Sequence, residues 1–488
     1  MVRTIKKLPV LLGLILLLGA GLRVYRVGSE GIWLDEGVSL SRAASSPAEI
    51  VSGRDPDPSP PLYYLLLHFW IRGFGDSELS IRIPSVIFGT VSIFLLYLVG
   101  REFFDRRTGL TAALFLALAA FPVYFSREAR MYSLLLTLSL ASFYCLGRLI
   151  RKGSKTAGIW YLLATAGVLY THNLGISTIL AQNIFLLIVF QQSGRAEKLP
   201  AGCWYSLQGM LLILYLPGLS VVLRQMSFVR GGYWSPPPAA VDLWRTARLY
   251  AGSSAGAAIL IAGAAVALLP GDNRREPGDG RLFPHRRTFL ASWLLTPILF
   301  PFLLSLVSTP IYIARITIAA APALYLLAAR GLERIPGRGK QAALAGLTGV
   351  ILFLPVRDFY RPPRNEPWRE VVQLVEEEAG PGDGVLVSPP WYRRFCFEHY
   401  RTRTDIVTRG IPEEVFTEPG VPRLREEAKR YPRVWIVYFQ QRDLTKLLED
   451  NFPRKFQPGA SRVKEYFNFQ AGSRMGIRVY LLSDREED

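Results

Sequence analysis

Cysteine is scarce, with three in 488 residues, and this excludes a disulfide scaffold. The three thiols, Cys145, Cys203 and Cys396, are expected to stay unpaired. Histidine is nearly as rare. His68, His172, His285 and His399 are the whole set, and none has zinc-site spacing with another histidine or with a cysteine. No N-x-S/T sequon occurs, so nothing points to passage through a glycosylating route. Apolar residues are abundant: 50% of the chain is hydrophobic and 12% aromatic, which excludes a disordered chain. The length would suit two or three soluble domains. The apolar residues nevertheless cluster in long blocks, as in a membrane protein with a soluble appendage.

The net charge is +18, and it is unevenly placed. Residues 358–488 hold 22 basic and 22 acidic residues, so the whole excess lies in residues 1–357. A nucleic-acid binder would show a solvated basic patch with interleaved aromatics. Here the basic residues sit in short clusters between apolar runs, which is a topology signal and leaves no nucleic-acid partner expected.

A bilayer core of ~30 Å needs about 20 apolar residues per helix. Candidate spans fall near 8–25, 83–100, 108–125, 132–149, 157–171, 174–190, 203–222, 254–270, 289–307, 312–329 and 341–356, eleven in all. The first follows Arg3, Lys6 and Lys7 and lacks a small-residue cleavage motif, so an uncleaved span is expected. With the N-terminus in the cytoplasm, the inner segments carry 21 basic against seven acidic residues. The outer segments of the membrane half carry 14 and 10. The bias favours this orientation, in the inner (plasma) membrane, and places the C-terminal segment outside.

Three outer stretches look like more than connectors. Residues 26–82 form a long loop holding eight of the membrane half's 17 carboxylates. Within it PPLYYLLLHFWIRGFG is too short to span and suits a helix lying in the interface, with Trp70 and the tyrosines at headgroup level. SREARMY (126–132) packs three charges between two spans, and 223–253 carries Tyr233-Trp234-Ser235 followed by three prolines.

After Val356 the composition changes. Arg361-Pro362-Pro363 makes a stiff exit from the bilayer. EPWREVVQLVEEEAG reads as an amphipathic helix with Asn365 as N-cap and Gly380 past its end. GVLVS, RVWIVYF and GIRVYLL read as strands, with helical patterns at 421–430 and 441–450 between them. The fold class is therefore a mainly α multi-pass membrane domain (1–357) with a small extracytoplasmic α/β domain (358–488). That small domain shows neither a glycine-rich phosphate loop nor a nucleophile motif, as a lid or scaffold would.

Chemistry has few places to sit. Asp35-Glu36 precedes a helical stretch; an aspartate there serves as an N-cap, as a general base held at the membrane surface, or as both. Arg127, Glu128 and Arg130 are stop-transfer charges or, for the arginines, forks that clamp a phosphate. Arg315 lies three residues past Tyr312 in an otherwise apolar span, where a charge either snorkels outward or has a function. His172 lies at a short outer turn and is a polar turn residue or a contact for phosphate or hydroxyl. Asp55-Pro-Asp57 resembles the D-x-D of metal-nucleotide transferases, but one such tripeptide does not indicate a metal site.

In order along the chain, Trp33-Leu34-Asp35-Glu36, Pro60-Pro61-Leu62-Tyr63-Tyr64, Arg82-Ile83-Pro84-Ser85, Arg127-Glu128-Ala129-Arg130-Met131-Tyr132 and Tyr170-Thr171-His172 resemble the prokaryotic branch of the protein O-mannosyltransferase superfamily. These are glycosyltransferase family 39-like proteins of the GT-C fold, which also includes the lipid A aminoarabinose transferases. The resemblance covers residues 1–330 and is sharpest over 30–175. It implies a polyprenyl-phosphate-linked sugar as donor and a glycan, lipid or protein as acceptor. It makes Asp35 the general base, with Glu36 beside it. Arg130 and His172 match motif positions and would hold the donor phosphate. Arg127 and Arg315 join them by location, and Tyr63 and Tyr132 would contact donor or acceptor. The short α/β tail departs from the large inserted β-domain of eukaryotic relatives, which puts a protein acceptor in doubt.

The expected activity is an inverting transfer that requires no cofactor and leaves a divalent metal open. The acid of the N-terminal quarter is expected to face the cations across an outward-open pocket. Two alternatives are a polyprenyl-lipid or sugar transporter, which would show internal repeats and broken midplane helices, and a non-catalytic assembly protein with the outer domain as binder.

Overall fold

The computed structural model describes residues 2–52, 59–230, 235–269, 285–358, 360, 365–439, 442–453, 455–456, 461–468 and 473–483. Asp55 and Asp57, Tyr233 and Trp234, the basic cluster Arg274, Arg275 and Arg281, and Arg361-Pro362-Pro363 lie outside the described residues. The chain forms two compact units. The first holds Met1–Val27, Arg42–Gly75 and Ser80–Phe359; the second holds Gly28–Ser41, Asp76–Leu79 and Tyr360–Asp488.

The first unit is helical. Seven of its helices are long and apolar enough to cross a bilayer: Glu78–Phe103, Tyr132–Lys152, Asn173–Ser193, Ala201–Gln225, Arg286–Val307, Ala314–Glu333 and Arg338–Asp358. Ala240–Ala251 and Ser254–Leu268, bent by 95° at their junction, make an eighth if taken as one span. This is fewer than the eleven spans expected. Each of the eleven segments is largely helical over its described residues, but four do not pass by themselves, Ser254–Leu268 with 15 residues being one. The apolar stretch Pro9–Val24 is short, Lys155–Thr171 has 17 residues, and 108–125 is broken.

The break has a visible cause. Proline at 122 has no N–H, and in a continuous helix its ring would press on the carbonyl of residue 118. The backbone instead turns extended at Ala119 (φ −68°, ψ 134°), leaving helices Arg106–Leu118 and Ala120–Phe125. The break deprives the Leu116 and Ala117 carbonyls of their donors four residues on. Arg23, fully buried, replaces those donors. Its Nη2 donates to Leu116 O at 3.2 Å, its Nη1 to Ala117 O at 3.3 Å, and its Nε to Ser126 Oγ at 3.1 Å. Irregular backbone inside such a bundle must be satisfied from within. Elsewhere small residues let helices touch: a Cβ on Gly331 would lie 2.0 Å from the Gly263 carbonyl oxygen.

The expected short helix in the first outer loop is Leu62–Phe74. Tyr63, Tyr64, Leu67 and His68 are buried, while Phe69 and Phe74 are exposed. Trp70 donates to the Ser80 carbonyl at 2.9 Å.

The second unit is built on a five-stranded sheet. In chain order its strands are β1 (Gly384–Ser388), β2 (Val407–Gly410), β3 (Arg433–Phe439), β4 (Arg462–Asn468) and β5 (Ser473–Ser483). The sheet order is β2-β1-β3-β5-β4; β1 is parallel to β2 and β3, and β5 is antiparallel to β3 and β4. Side chains alternate between faces along each strand. Val385, Val387, Trp435 and Val437 face helix Trp368–Glu378, whose Trp368, Val371, Val372 and Val375 complete one core. Leu386, Val434 and Ile436 face helices Val421–Ala428 and Thr445–Asn451 on the other side. The α/β tail expected from the sequence is present, with two strands, β2 and β4, in addition. Asn365 does not cap the first tail helix. Pro367 holds that position, and the Asn365 backbone N–H donates to Glu30 Oε2 at 3.1 Å.

Candidate active site

The first unit gathers most of the sequence-predicted cations and tyrosines. Residues 121–134 are all buried, so the charges of SREARMY, which lie in the turn between helices Ala120–Phe125 and Tyr132–Lys152, are packed inside the unit. Arg130 is 6% exposed, and its Nη1 donates to the Tyr64 hydroxyl at 3.4 Å. Ser85 ties the neighbouring motif to this point. Its Oγ donates to Arg130 O at 3.3 Å and meets the Tyr63 hydroxyl at 3.3 Å. Tyr132, 2% exposed, stands between two other predicted residues. Its ring centroid is 6.2 Å from that of His172 and 5.8 Å from the Arg315 guanidinium carbon. The predicted residues thus fall into two contact clusters: Tyr63 with Arg130, through Ser85, and Tyr132 with His172 and Arg315.

His172 starts a short turn, and its Nδ1 accepts the Leu174 N–H at 3.1 Å. A ring whose Nδ1 accepts is neutral and carries its proton on Nε2, so it offers one donor there. Arg315 opens the 3-10 stretch Ala314–Ala320, just past Tyr312, whose hydroxyl meets Thr246 Oγ1 at 2.8 Å.

Arg127 is used otherwise. Its guanidinium donates to the carbonyls of Arg23 (3.1 Å), Tyr25 (2.6 Å) and Arg26 (3.3 Å), closing the C-terminal end of helix Val2–Val24. Cations suit a helix C-terminus, where carbonyls lack intrahelical donors.

Arg42 and Tyr64 belong to the first cluster but escaped sequence reasoning as members of it. Arg42 is 1% exposed, lies 4.2 Å from the Tyr64 ring centroid and donates to Ser59 O at 2.8 Å. A usable signal existed: an arginine inside the otherwise small and apolar run GVSLSRAAS is costly to bury without a task.

The acidic pair lies in the second unit. Asp35 and Glu36 occupy the first turn of helix Leu34–Ala44, where the helix dipole favours negative charge. Asp35 is part-exposed and Glu36 fully buried. The helix start is held by the tail: the Leu34 N–H donates to Glu366 Oε2 at 3.2 Å, and the Ile32 N–H to the Tyr400 hydroxyl at 2.7 Å. Burial pushes the Glu366 carboxyl up to about 8, with Asp35 adding to the shift and hydrogen bonds from Trp368 and Leu34 opposing it. Burial also pushes the Cys396 thiol well up, helped by Glu366, Glu36 and Asp35. All three cysteines are free thiols. Among the described residues, no group of three or more histidine, cysteine, aspartate or glutamate side chains is placed to hold a metal ion.

Comparison with known proteins adds the fold. Residues 58–219 match the family model of dolichyl-phosphate-mannose-protein mannosyltransferases. No curated protein matches the sequence. The apo crystal structure of ArnT from Cupriavidus metallidurans superimposes with a TM-score of 0.61 at 13% identity, over 97% of this chain and 99% of that one. The same protein bound to undecaprenyl phosphate gives 0.58 at 12% identity, over 99% of each chain. The archaeal oligosaccharyltransferase AglB from Archaeoglobus fulgidus, in complex with an inhibitory peptide and a dolichol-phosphate, gives 0.55 at 11% identity, over 96% of this chain and 74% of that one. The expected GT-C fold is the fold found, and the chain is a membrane protein.

Proposed function

We propose that this GT-C membrane protein transfers a hexose or pentose from a polyprenyl-phosphate-linked donor to an acceptor hydroxyl on the outer side of the membrane. The observation that carries this reading is the set of cations and tyrosines in the first unit: Arg42, Arg130, Tyr64 and Tyr132, all buried, with the half-buried Arg315 and His172 against Tyr132. Guanidiniums present forked donors to phosphate oxygens, and a dry surround strengthens each contact. The fold shared with a protein crystallised with undecaprenyl phosphate supports the same assignment. Nothing in these likenesses favours the transporter alternative.

In this reading Asp35 takes the proton from the acceptor hydroxyl. The acceptor oxygen forms a bond to the anomeric carbon on the face opposite the phosphate. The bond from that carbon to the phosphate oxygen breaks, and its electron pair leaves with the phosphate, so configuration inverts. Arg130, Arg315 and the Nε2–H of His172 stabilise the charge that develops there, with Arg42 beside them. Glu36, buried next to the base, shapes its surroundings. The acceptor is a glycan, a lipid or a protein.

The test is turnover of a polyprenyl-phosphate-linked sugar by Asp35→Asn in the full chain. Loss of a positioned base lowers turnover by about 10²–10⁴-fold. Turnover like the wild type removes Asp35 from the base role.

A further inference from the structure

Helix Leu34–Ala44, which carries Asp35 one residue after its start, has an unusual beginning. The first N–H groups of a helix lack intrahelical acceptors, and a polar side chain at the preceding position normally supplies one. Here residue 33 is tryptophan, whose indole only donates. The acceptor comes instead from Glu366 in the tail. That carboxyl is 5% exposed. Its Oε2 takes both the Leu34 N–H and, at 2.8 Å, the Trp368 indole N–H; its Oε1 takes the Tyr392 hydroxyl at 3.4 Å.

The surroundings reinforce this contact. Leu34 packs against the core that contains Trp368, Val371 and Trp435. Gly37 lies so close to residue 395 that an added Cβ would be 2.1 Å from the Phe395 carbonyl oxygen. The Asn365 N–H binds Glu30, and the Ile32 N–H binds Tyr400, whose hydroxyl reaches Glu78 at 3.1 Å. Residues 30–37 are therefore clamped from both ends and along one side by residues 365–400. A carboxyl held mostly neutral at pH 7 caps the helix without setting a second negative charge against Asp35.

We propose that Glu366 is a positioning residue for Asp35: it fixes the first turn of the Asp35 helix, and through it the tail takes part in sugar transfer. The inference rests on the reading of Asp35 as general base. Asp35 touches the reacting hydroxyl, and Glu366 acts only through the helix.

The experiment compares Glu366→Gln, Glu366→Asp and Asp35→Asn in the full chain, in membrane vesicles that contain its acceptors. The probes are undecaprenyl-phosphate-linked mannose, glucose and a pentose, with release of undecaprenyl phosphate as readout. Glutamine keeps an acceptor oxygen of equal reach and presents its NH₂ to the Tyr392 oxygen. Aspartate keeps the acid but is one methylene shorter, so it withdraws from the Leu34 N–H. Turnover at saturating donor is expected to stay within about threefold of wild type in Glu366→Gln, and to fall about tenfold or more in Glu366→Asp with little change in donor KM. Amides 34–38 of the purified chain should exchange faster with deuterium in Glu366→Asp, and not in Glu366→Gln, while the strands keep their protection. The opposite ranking of the two variants overturns the proposal, as does loss in Glu366→Asp through unfolding of the whole tail. Inactive Asp35→Asn with wild-type-like Glu366→Asp sinks this inference alone. Active Asp35→Asn, or a wild type that consumes none of the probes, sinks the underlying reading as well.

Discussion

The Arg42 guanidinium lies over the face of the Tyr64 ring, 4.2 Å from its centroid, while the hydroxyl of the same ring accepts from Arg130. One side chain thus places two buried cations, by its face and by its edge. A cation over a ring contributes about 0.5–2 kcal/mol, more when desolvated. Tyr64→Phe keeps the face and loses only the hydroxyl, so donor KM should stay within about threefold of wild type. Tyr64→Leu loses both contacts, and donor KM should rise about tenfold. Initial rates against donor concentration separate the two variants.

In the proposed reaction His172 divides its ring between two tasks, and two substitutions should divide them likewise. Asparagine places an acceptor near the Nδ1 position and restores the bond to the Leu174 N–H. Glutamine reaches the Nε2 position and restores a donor. His172→Asn should keep wild-type thermal stability and lose about 10²-fold in turnover, the scale of one lost transition-state donor. His172→Gln should retain more activity and melt lower. Equal activity in the two variants would remove Nε2 from the reaction.

Arg23 holds together the helix break at Ala119. Arg23→Met leaves the Leu116 and Ala117 carbonyls buried without those donors, at a cost of about 1–3 kcal/mol for each group. Unfolding of the full chain should show that loss. Arg23→Lys should recover part of it, because a single ammonium cannot span all the acceptors that the guanidinium reaches.

Stability should depend on pH through Glu366. Its carboxyl is raised to about 8 in the folded chain, above an ordinary value of 4.5. Between these values the unfolded chain releases the proton while the folded chain keeps it, so stability falls as pH rises across that window and levels off above it. Glu366→Gln cannot titrate. The melting-temperature difference, variant minus wild type, should therefore grow from about pH 5 to about pH 8. A difference that stays flat over this range refutes the shift.

The helices of the first unit were legible because a long apolar run has few other ways to satisfy its backbone. Span number was less legible: the break at Ala119 depends on Pro122 and on a buried arginine about 100 residues away in the chain. In the tail, GVLVS and RVWIVYF are central strands, buried along their length, and their composition says so. Val407–Gly410 and Arg462–Asn468 are edge strands, which need few apolar residues and read as loop. The candidate site divides in the same way. Short motifs pointed to Arg130, His172, Tyr63 and Tyr132. Arg42 lay outside any motif, Arg127 shares one with Arg130 yet closes a helix end, and the cap on Leu34 comes from the far end of the chain. Sequence position alone carries no trace of such partners.

Because residues 28–41 and 76–79 fold with the C-terminal segment, the tail is not a module that a single cut at residue 360 would liberate. A chimera that exchanged only residues 360–488 would meet foreign versions of Leu34, Gly37 and Glu78 along its seam. Transplanting this unit into a relative calls for three grafts made together, and natural recombination between such genes faces the same barrier.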